Sequence, residues 1–287
     1  MRLKADLTLF IIAIIWGSAF VAQRVAGQMG SVYLFNGTRF LLGGLIVFPF
    51  AIQNKTIDKL SPDQWFWMLV AGIILFVAAA LQQAGLLYTS AGNAGFITSL
   101  YVVLVPVVLF IFWRETPHWL AIVAICLAAV GAFLLSSNGT GFKLQPGDGL
   151  ELIGAGLWTC HVILLGKFAS RFDALTFSVG QLIICGLLNL GLGAFVEHSV
   201  SIEAMPLIVA VIFTALFSIA LGYTLQVWAQ RHTPPADAAL ILSLESVFAA
   251  LAGWLFLRET MTLIQVFGCT LIFAAVLFSQ VKPRVSE

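Results

Sequence analysis

Residues 234–260 read PPADAALILSLESVFAALAGWLFLRET, an apolar run that carries Glu245 at its middle and Arg258, Glu259 and Thr260 at its end. Residues 91–116, AGNAGFITSLYVVLVPVVLFIFWRET, align with it without a gap at an offset of about 144 positions. Ala94/Ala238, Ile97/Ile241, Ser99/Ser243, Leu100/Leu244, Val103/Val247 and Phe112/Phe256 coincide, as do the two Arg-Glu-Thr endings. Such self-similarity points to a duplicated chain.

Composition fixes the surroundings. Hydrophobic residues make up 61% of the 287 and charged residues 9%, against roughly 45–50% and about 25% in soluble domains. The charges gather between apolar runs of roughly 18–23 residues, the length a helix needs to cross about 30 Å of hydrocarbon. The period-2 alternation of a barrel strand is missing, so the expected fold is an all-α polytopic membrane protein. A net charge of +1 argues against nucleic acid as a partner. Cys126, Cys160, Cys185 and Cys269 sit in apolar segments without Cys-x-x-Cys spacing, so neither a disulfide framework nor a metal site is expected. Met1 to Ala22 resembles a signal peptide, but Trp16, Gly17 and Ser18 interrupt its apolar core and further spans follow. It is expected to stay as the first span.

Charge, Pro, Gly and Asn punctuate ten spans, at about Asp6–Gln23, Ser31–Ile52, Gln64–Tyr88, Gly92–Trp113, His118–Leu135, Gly149–Gly166, Ala174–Phe195, Pro206–Gln230, Pro234–Leu257 and Thr262–Gln280. The expected organisation is a first repeat over residues 1–137, a linker over 138–148 and a second repeat over 149–287. With the N-terminus in the cytoplasm, Arg2, Lys4, Lys55, Lys59, Arg114, Lys167, Arg171, Arg231, Lys282 and Arg284 fall inside, and only Lys143 and Arg258 clearly fall outside. That asymmetry orients the chain in a cytoplasmic (inner) membrane with both termini cytoplasmic. Five spans per repeat is odd, so the second copy enters upside down. Trp16/Trp158 and Phe35/Phe177, at an offset of about 142, and Gln82/Gln226 extend the pairing. Two inverted five-helix repeats around a central cavity are the architecture of alternating-access transporters.

Trp16-Gly17-Ser18-Ala19-Phe20, Thr38-Arg39-Phe40, Ser99-Leu100-Tyr101 through Glu115, and Leu244-Glu245-Ser246 through Glu259 resemble the motifs of the drug/metabolite transporter superfamily, in its ten-span EamA-type branch. The resemblance covers essentially the whole chain and implies a permease without a cofactor. One departure stands out. The family commonly places proline where Val102 and Ser246 stand, while here Pro106 follows about one turn later, which puts a proline hinge in the ninth span in question.

Glu245 lies about 11 residues into its span, roughly 16 Å deep, where an acid costs on the order of 2.5–3.5 kcal/mol and faces a cavity or a partner. It reads either as a protonatable group that couples solute movement to protons or as a tie between helices. Arg39, also deep, reads as a fork for a solute carboxylate or as a partner of an acid or of helix carbonyls. Arg24 reads as an interfacial anchor. Gln82 with Gln226 and Trp16 with Trp158 are equivalent in the repeat and suit a pocket wall; Tyr101, aligned with Glu245, and His161 complete the candidate substrate-binding set. Thr116 with Pro117, and Thr260, are expected to cap helices. Ser243, Ser246, Ala249, Ala250 and Gly253 form a close-packing face, for a helix of the same chain or of a homodimer.

No His-Glu-x-x-His, nucleophile elbow or Walker A loop occurs, so enzymatic or ATP-driven function is not expected. The expected function is a secondary transporter, an exporter of small metabolites such as amino acids, with alternating access and a proton as the candidate coupling ion. The alternatives are an importer of a small organic solute, or a membrane enzyme or scaffold.

Overall fold

The structure, a computed structural model, describes residues 1–29, 31–53, 60–136, 145–197 and 205–280. Lys55, Asp58, Lys59, Lys143, Lys282, Arg284 and most of the expected linker lie outside the described residues. Among the described residues there is no strand. Nine helical spans among the described residues are long and apolar enough to cross a membrane, and a shorter apolar helix, Leu263–Ser279, follows them. The chain is an all-α polytopic membrane protein.

The helices are α1 (Arg2–Gln28), α2 (Tyr33–Gln53), α3 (Pro62–Gly85), α4 (Ala91–Thr98), α5 (Tyr101–Trp113), α6 (Trp119–Ser136), α7 (Asp148–Lys167), α8 (Ala174–Val196), α9 (Met205–Phe213), α10 (Thr224–Ala229), α11 (Pro235–Leu242), α12 (Glu245–Leu257) and α13 (Leu263–Gln280). The fourth span is thus α4 followed by α5, and the ninth is α11 followed by α12. Both are broken in mid-span, at Ser99-Leu100 and at Ser243-Leu244, the same place in the repeat. At each break the backbone tightens to i→i−3 bonds, Leu100 N–H to Ile97 O and Leu244 N–H to Ile241 O. Each serine hydroxyl also donates to a carbonyl three residues back, Ser99 to Phe96 at 2.8 Å and Ser243 to Leu240 at 2.7 Å. Serine that bonds its own turn competes with the helix ladder and bends it. Where a proline hinge was in question for the ninth span, the structure has a break at a serine, present in both copies.

Contacts between spans come in exchanged pairs. α2 packs along α8, and α6 along α13, each helix with its own equivalent; α1 packs on α12 as α4 and α5 pack on α7. The direction of the copies follows from their ends. Arg2 at the start of α1 pairs with Asp237 of α11. Arg24, near the end of α1, instead reaches the carbonyl of Thr89 just before α4, where Asp148 at the start of α7 accepts from Asn93 at 2.7 Å. Hence α1 and α7 start at opposite ends of the bundle, and the two copies run inverted.

Small residues let the backbones meet. A Cβ on Gly17 would lie 2.6 Å from Glu245 O and 2.8 Å from Ala249 N, and one on Gly95 would lie 2.9 Å from Ala249 Cβ. The small face of α12 is therefore covered by α1 and α4 of the same chain, and Gly253 by Glu259. That covers the close-packing face for which a homodimer was the alternative.

The Arg-Glu-Thr endings are boundaries of another kind than the expected caps. Arg114 and Arg258 close their helices in the left-handed region, at φ 58° and 56°, and the next N–H, of Glu115 or Glu259, reaches back to Leu109 O or Gly253 O. Thr116 and Thr260 are corrected as caps: α6 starts only at Trp119, and it is Thr262 that caps α13, exchanging bonds with Gln265 at 2.9 and 3.3 Å.

Gly17→Ala should lower stability by about 1–3 kcal/mol, since the new methyl meets backbone that cannot yield. Gly156→Ala, with nothing within 4 Å of the new Cβ, should be neutral or stabilise by up to about 1 kcal/mol. Thermal unfolding in detergent reads both, and the opposite signs separate packing from helix propensity.

Candidate functional site

The two helix breaks face each other. Tyr101 is the first residue of α5 and Glu245 the first of α12, and the tyrosine hydroxyl donates to Glu245 Oε1 at 2.8 Å. These are equivalent residues of the two copies, so their bond lies where the repeats meet. It borders a cavity of about 530 Å³, open side included.

Seven of the eight residues singled out from the sequence line this cavity: Trp16, Arg39, Gln82, Tyr101, Trp158, Gln226 and Glu245. His161 does not. It is buried behind the wall, with Nε2 2.9 Å from Gln181 Oε1 and its ring edge-on to Trp158 and Tyr223. His161 thus stands one layer behind the cavity lining, with its Nε2 held by Gln181 of α8.

Arg39 is held by amides, its Nε donating to Asn36 Oδ1 and its Nη2 to Gln23 Oε1, both at 3.0 Å. Phe35 and Phe40 face the guanidinium with centroids at 4.9 and 5.2 Å. No ion pair neutralises it among the described residues. A guanidinium carries five N–H donors in a planar fork, and the amides take two of them, so donors remain for an anion in the cavity. Arg24 is an anchor of another kind than expected: besides Thr89 O it reaches Leu86 O at 3.4 Å, tying α1 to the end of α3.

The eighth span widens into a π-helical segment, Thr214–Tyr223, between α9 and α10. Its Ser218 carbonyl accepts from Trp16 Nε1 at 2.9 Å, and a Cβ on Gly222 would lie 2.6 Å from that nitrogen. Tyr223 lies against both tryptophans, with centroids 4.9 Å from Trp16 and 6.4 Å from Trp158. Segments of π-helix recur at functional sites, and this one brings Ser218, Ile219 and Tyr223 to the cavity wall.

Sequence reasoning missed Tyr223, Gln23 and Thr98. For Gln23 and Thr98 the signal was present, an uncharged polar side chain inside an apolar run; nothing in TALFSIALGY announced the π segment that places Tyr223. Together the wall offers a cationic fork, a carboxyl, three amides and aromatic faces, a set suited to a small polar solute with an apolar part.

A model of the EamA-like transporter family matches residues 3–137 and again 145–280. An uncharacterised transporter of Archaeoglobus fulgidus is 32% identical over 98% of this chain and 87% of its own. A threonine/homoserine exporter of Salmonella typhimurium is 27% identical over 162 residues, 56% of this chain and 54% of its own. A solved crystal structure shares the fold, with a TM-score of 0.77 over 98% of both chains at 18% identity.

Tyr101→Phe should destabilise the protein by about 1–3 kcal/mol, since it leaves a buried carboxyl oxygen without its donor. The same change in a Glu245→Gln background should cost less, because a neutral amide is cheaper to leave unpaired. Equal losses in thermal unfolding of the two backgrounds would show that the bond contributes nothing.

Proposed function

The chain belongs to the EamA-like transporter family, and from that premise we propose a secondary transporter of small zwitterionic metabolites, amino acids first, working by alternating access at the cavity between its repeats. The observation that carries the reading is the pair of unlike charged groups on one wall, Arg39 without a carboxylate partner and Glu245 with a single hydroxyl donor. The guanidinium fork takes the solute carboxylate bidentately. Glu245 takes its ammonium, and Trp16, Trp158 and Tyr223 cover the apolar part.

Export is the direction we favour, supported by the name of the Salmonella relative, with the solute's own gradient or the proton gradient as driving force. Glu245 is the proton-coupling group: an ammonium and a proton compete for the same carboxylate, so loading one releases the other. The chain acts as a transporter and not as an enzyme. It works in the cytoplasmic (inner) membrane with both termini in the cytoplasm, as its lysine and arginine distribution supports.

The full chain reconstituted into liposomes is expected to exchange radiolabelled L-threonine, and Arg39→Gln to slow this at least about tenfold, the loss of one charge-assisted bond of roughly 1.5–3 kcal/mol. Glu245→Gln is expected to slow exchange as well, since the ammonium loses its charged partner, and the exchange that remains is expected to show no flux driven by a pH gradient. Gradient-driven flux in that variant at the wild-type rate would remove the coupling role. Failure to move any member of an amino-acid panel would remove the substrate class.

A further inference from the structure

Glu151 is the buried acid to which the cavity gives no task. It lies on the first turn of α7, fully buried; Oε2 accepts from the Thr98 hydroxyl at 3.3 Å, and Oε1 has no hydrogen-bond partner among the described residues. Thr98 ends α4, and its oxygen in turn accepts from Gln82 Nε2 at 3.0 Å. Thr98 and Gln82 both line the cavity. A carboxyl with one long bond and one bare oxygen is a poor tie between helices, since intramembrane acids kept for structure are fully partnered.

Donor chemistry fixes the direction of this chain. A carboxylate only accepts, and a threonine hydroxyl has a single proton. While Glu151 is ionised, Thr98 must donate to it, so Thr98 must accept from Gln82. Gln82 then spends one N–H on Thr98 and leaves its carbonyl for the cavity. A proton taken from water onto Glu151 Oε2 reverses every step. The acid donates to Thr98, the Thr98 proton turns to Gln82, the amide rotates to meet it with its carbonyl, and its N–H faces the cavity.

We propose that Glu151 is a positioning residue that acts on the solute through Thr98 and Gln82, its proton deciding whether the cavity wall offers an acceptor or a donor at Gln82. With the acceptor out, the wall favours a primary ammonium; with the donor out, it repels one. The meaning of the switch for transport rests on the cavity being the solute site.

Other charges leave the switch to Glu151. Asp148 lies one turn earlier on α7, tied to Asn93 Nδ2 and to Gln145 N–H. Of the helices packed on α7, α4 and α5 carry no charged residue. α3 carries only Asp63, on its first turn, and α11 only Asp237, paired with Arg2 at the far end of the bundle. The short 3-10 turn Ala169–Arg171 brings Arg171, beyond the opposite end of α7. Arg24 ends on backbone carbonyls, and Glu245 is bonded to Tyr101. The device is also confined to one copy. At the equivalent positions Leu9 and Leu242 stand for Glu151 and Thr98, and Gln226 Oε1 has no partner.

The test is nuclear magnetic resonance of glutamine side-chain amides in the full chain in lipid nanodiscs, titrated over pH, with Gln82 assigned by its loss in Gln82→Asn. The Gln82 signal is expected to move with one titration. That movement should vanish in Glu151→Gln and in Thr98→Val, and persist in Thr98→Ser and in Glu245→Gln. A Gln82 signal that does not move, that moves unchanged in Glu151→Gln, or that stops moving in Glu245→Gln would overturn the proposal. Should Glu151→Gln fail to fold, the Thr98 pair decides it, because serine keeps the hydroxyl of the relay and valine removes it while the carboxyl itself stays in the chain. No transported solute is needed, so a failed transport assay counts against the proposed function alone.

Discussion

The hydrogen bond from Tyr101 to Glu245 joins the two places at which the chain interrupts its own helices. Hydrocarbon offers no partner to a free peptide group, so irregular backbone at that depth survives only inside protein or beside a cavity. Each break meets that condition by lying against the other copy, with Gly17 of α1 and Gly95 of α4 allowing the approach. An acid at this depth costs on the order of 2.5–3.5 kcal/mol, and a bond to a charged group returns about 1.5–3. One hydroxyl thus comes close to holding Glu245 in place without neutralising it for good, which leaves the carboxyl available to whatever enters the cavity.

The duplication was legible because it leaves a constant offset, and orientation followed from an odd number of spans per copy. Where side-chain chemistry alone was read, the reading went further than the sequence allowed. Thr116 and Thr260 look like caps, yet Arg114 and Arg258 end the helices by entering the left-handed region at an estimated cost of about 1–2 kcal/mol each, and no composition signal announces that. The breaks at Ser99 and Ser243 were hidden because the usual mark, proline, is replaced by serine, which is common in intact helices. His161 stood among the candidates as a polar side chain inside a span, but its partner Gln181 lies on a helix whose facing side could not be assigned from one chain. Glu151 went unread because it stands near the start of its span, where an acid passes for a boundary charge.

The two ends of the bundle show how far equivalent positions have diverged. Arg2, Asp6, Thr233 and Asp237 tie α1 to the start of the ninth span through ion pairs and a 2.7 Å bond from Thr233 to Asp6. At the other end Thr89 and Asn93 stand where Thr233 and Asp237 do, and Asp148 where Asp6 does. There the tie is an amide on a carboxylate, with a bond from Asn93 to Thr89 at 2.8 Å. The same scaffold is closed by ion pairs at one end and, at the other, by hydrogen bonds from Arg24 and to Asp148 whose partners are neutral groups. An ion pair screened by salt and hydrogen bonds between a charged and a neutral group do not weaken under the same conditions.

The same divergence governs the cavity. Arg39 has Gln181 as its equivalent, Glu245 has Tyr101 and Glu151 has Leu9, so every buried charge at or behind the wall is present in one copy only. A cavity that kept the symmetry of its scaffold would present the same groups from both halves and could not tell the two ends of a solute apart. Backbone geometry tolerates the duplication because helix breaks, glycine crossings and left-handed ends are set by sterics that act alike in either orientation. Recognition does not tolerate it, since a carboxylate and an ammonium need opposite charges at a fixed separation. Symmetry is therefore retained where packing decides and lost where charge decides, and the residues that break the repeat mark the chemistry of the site more reliably than those that preserve it.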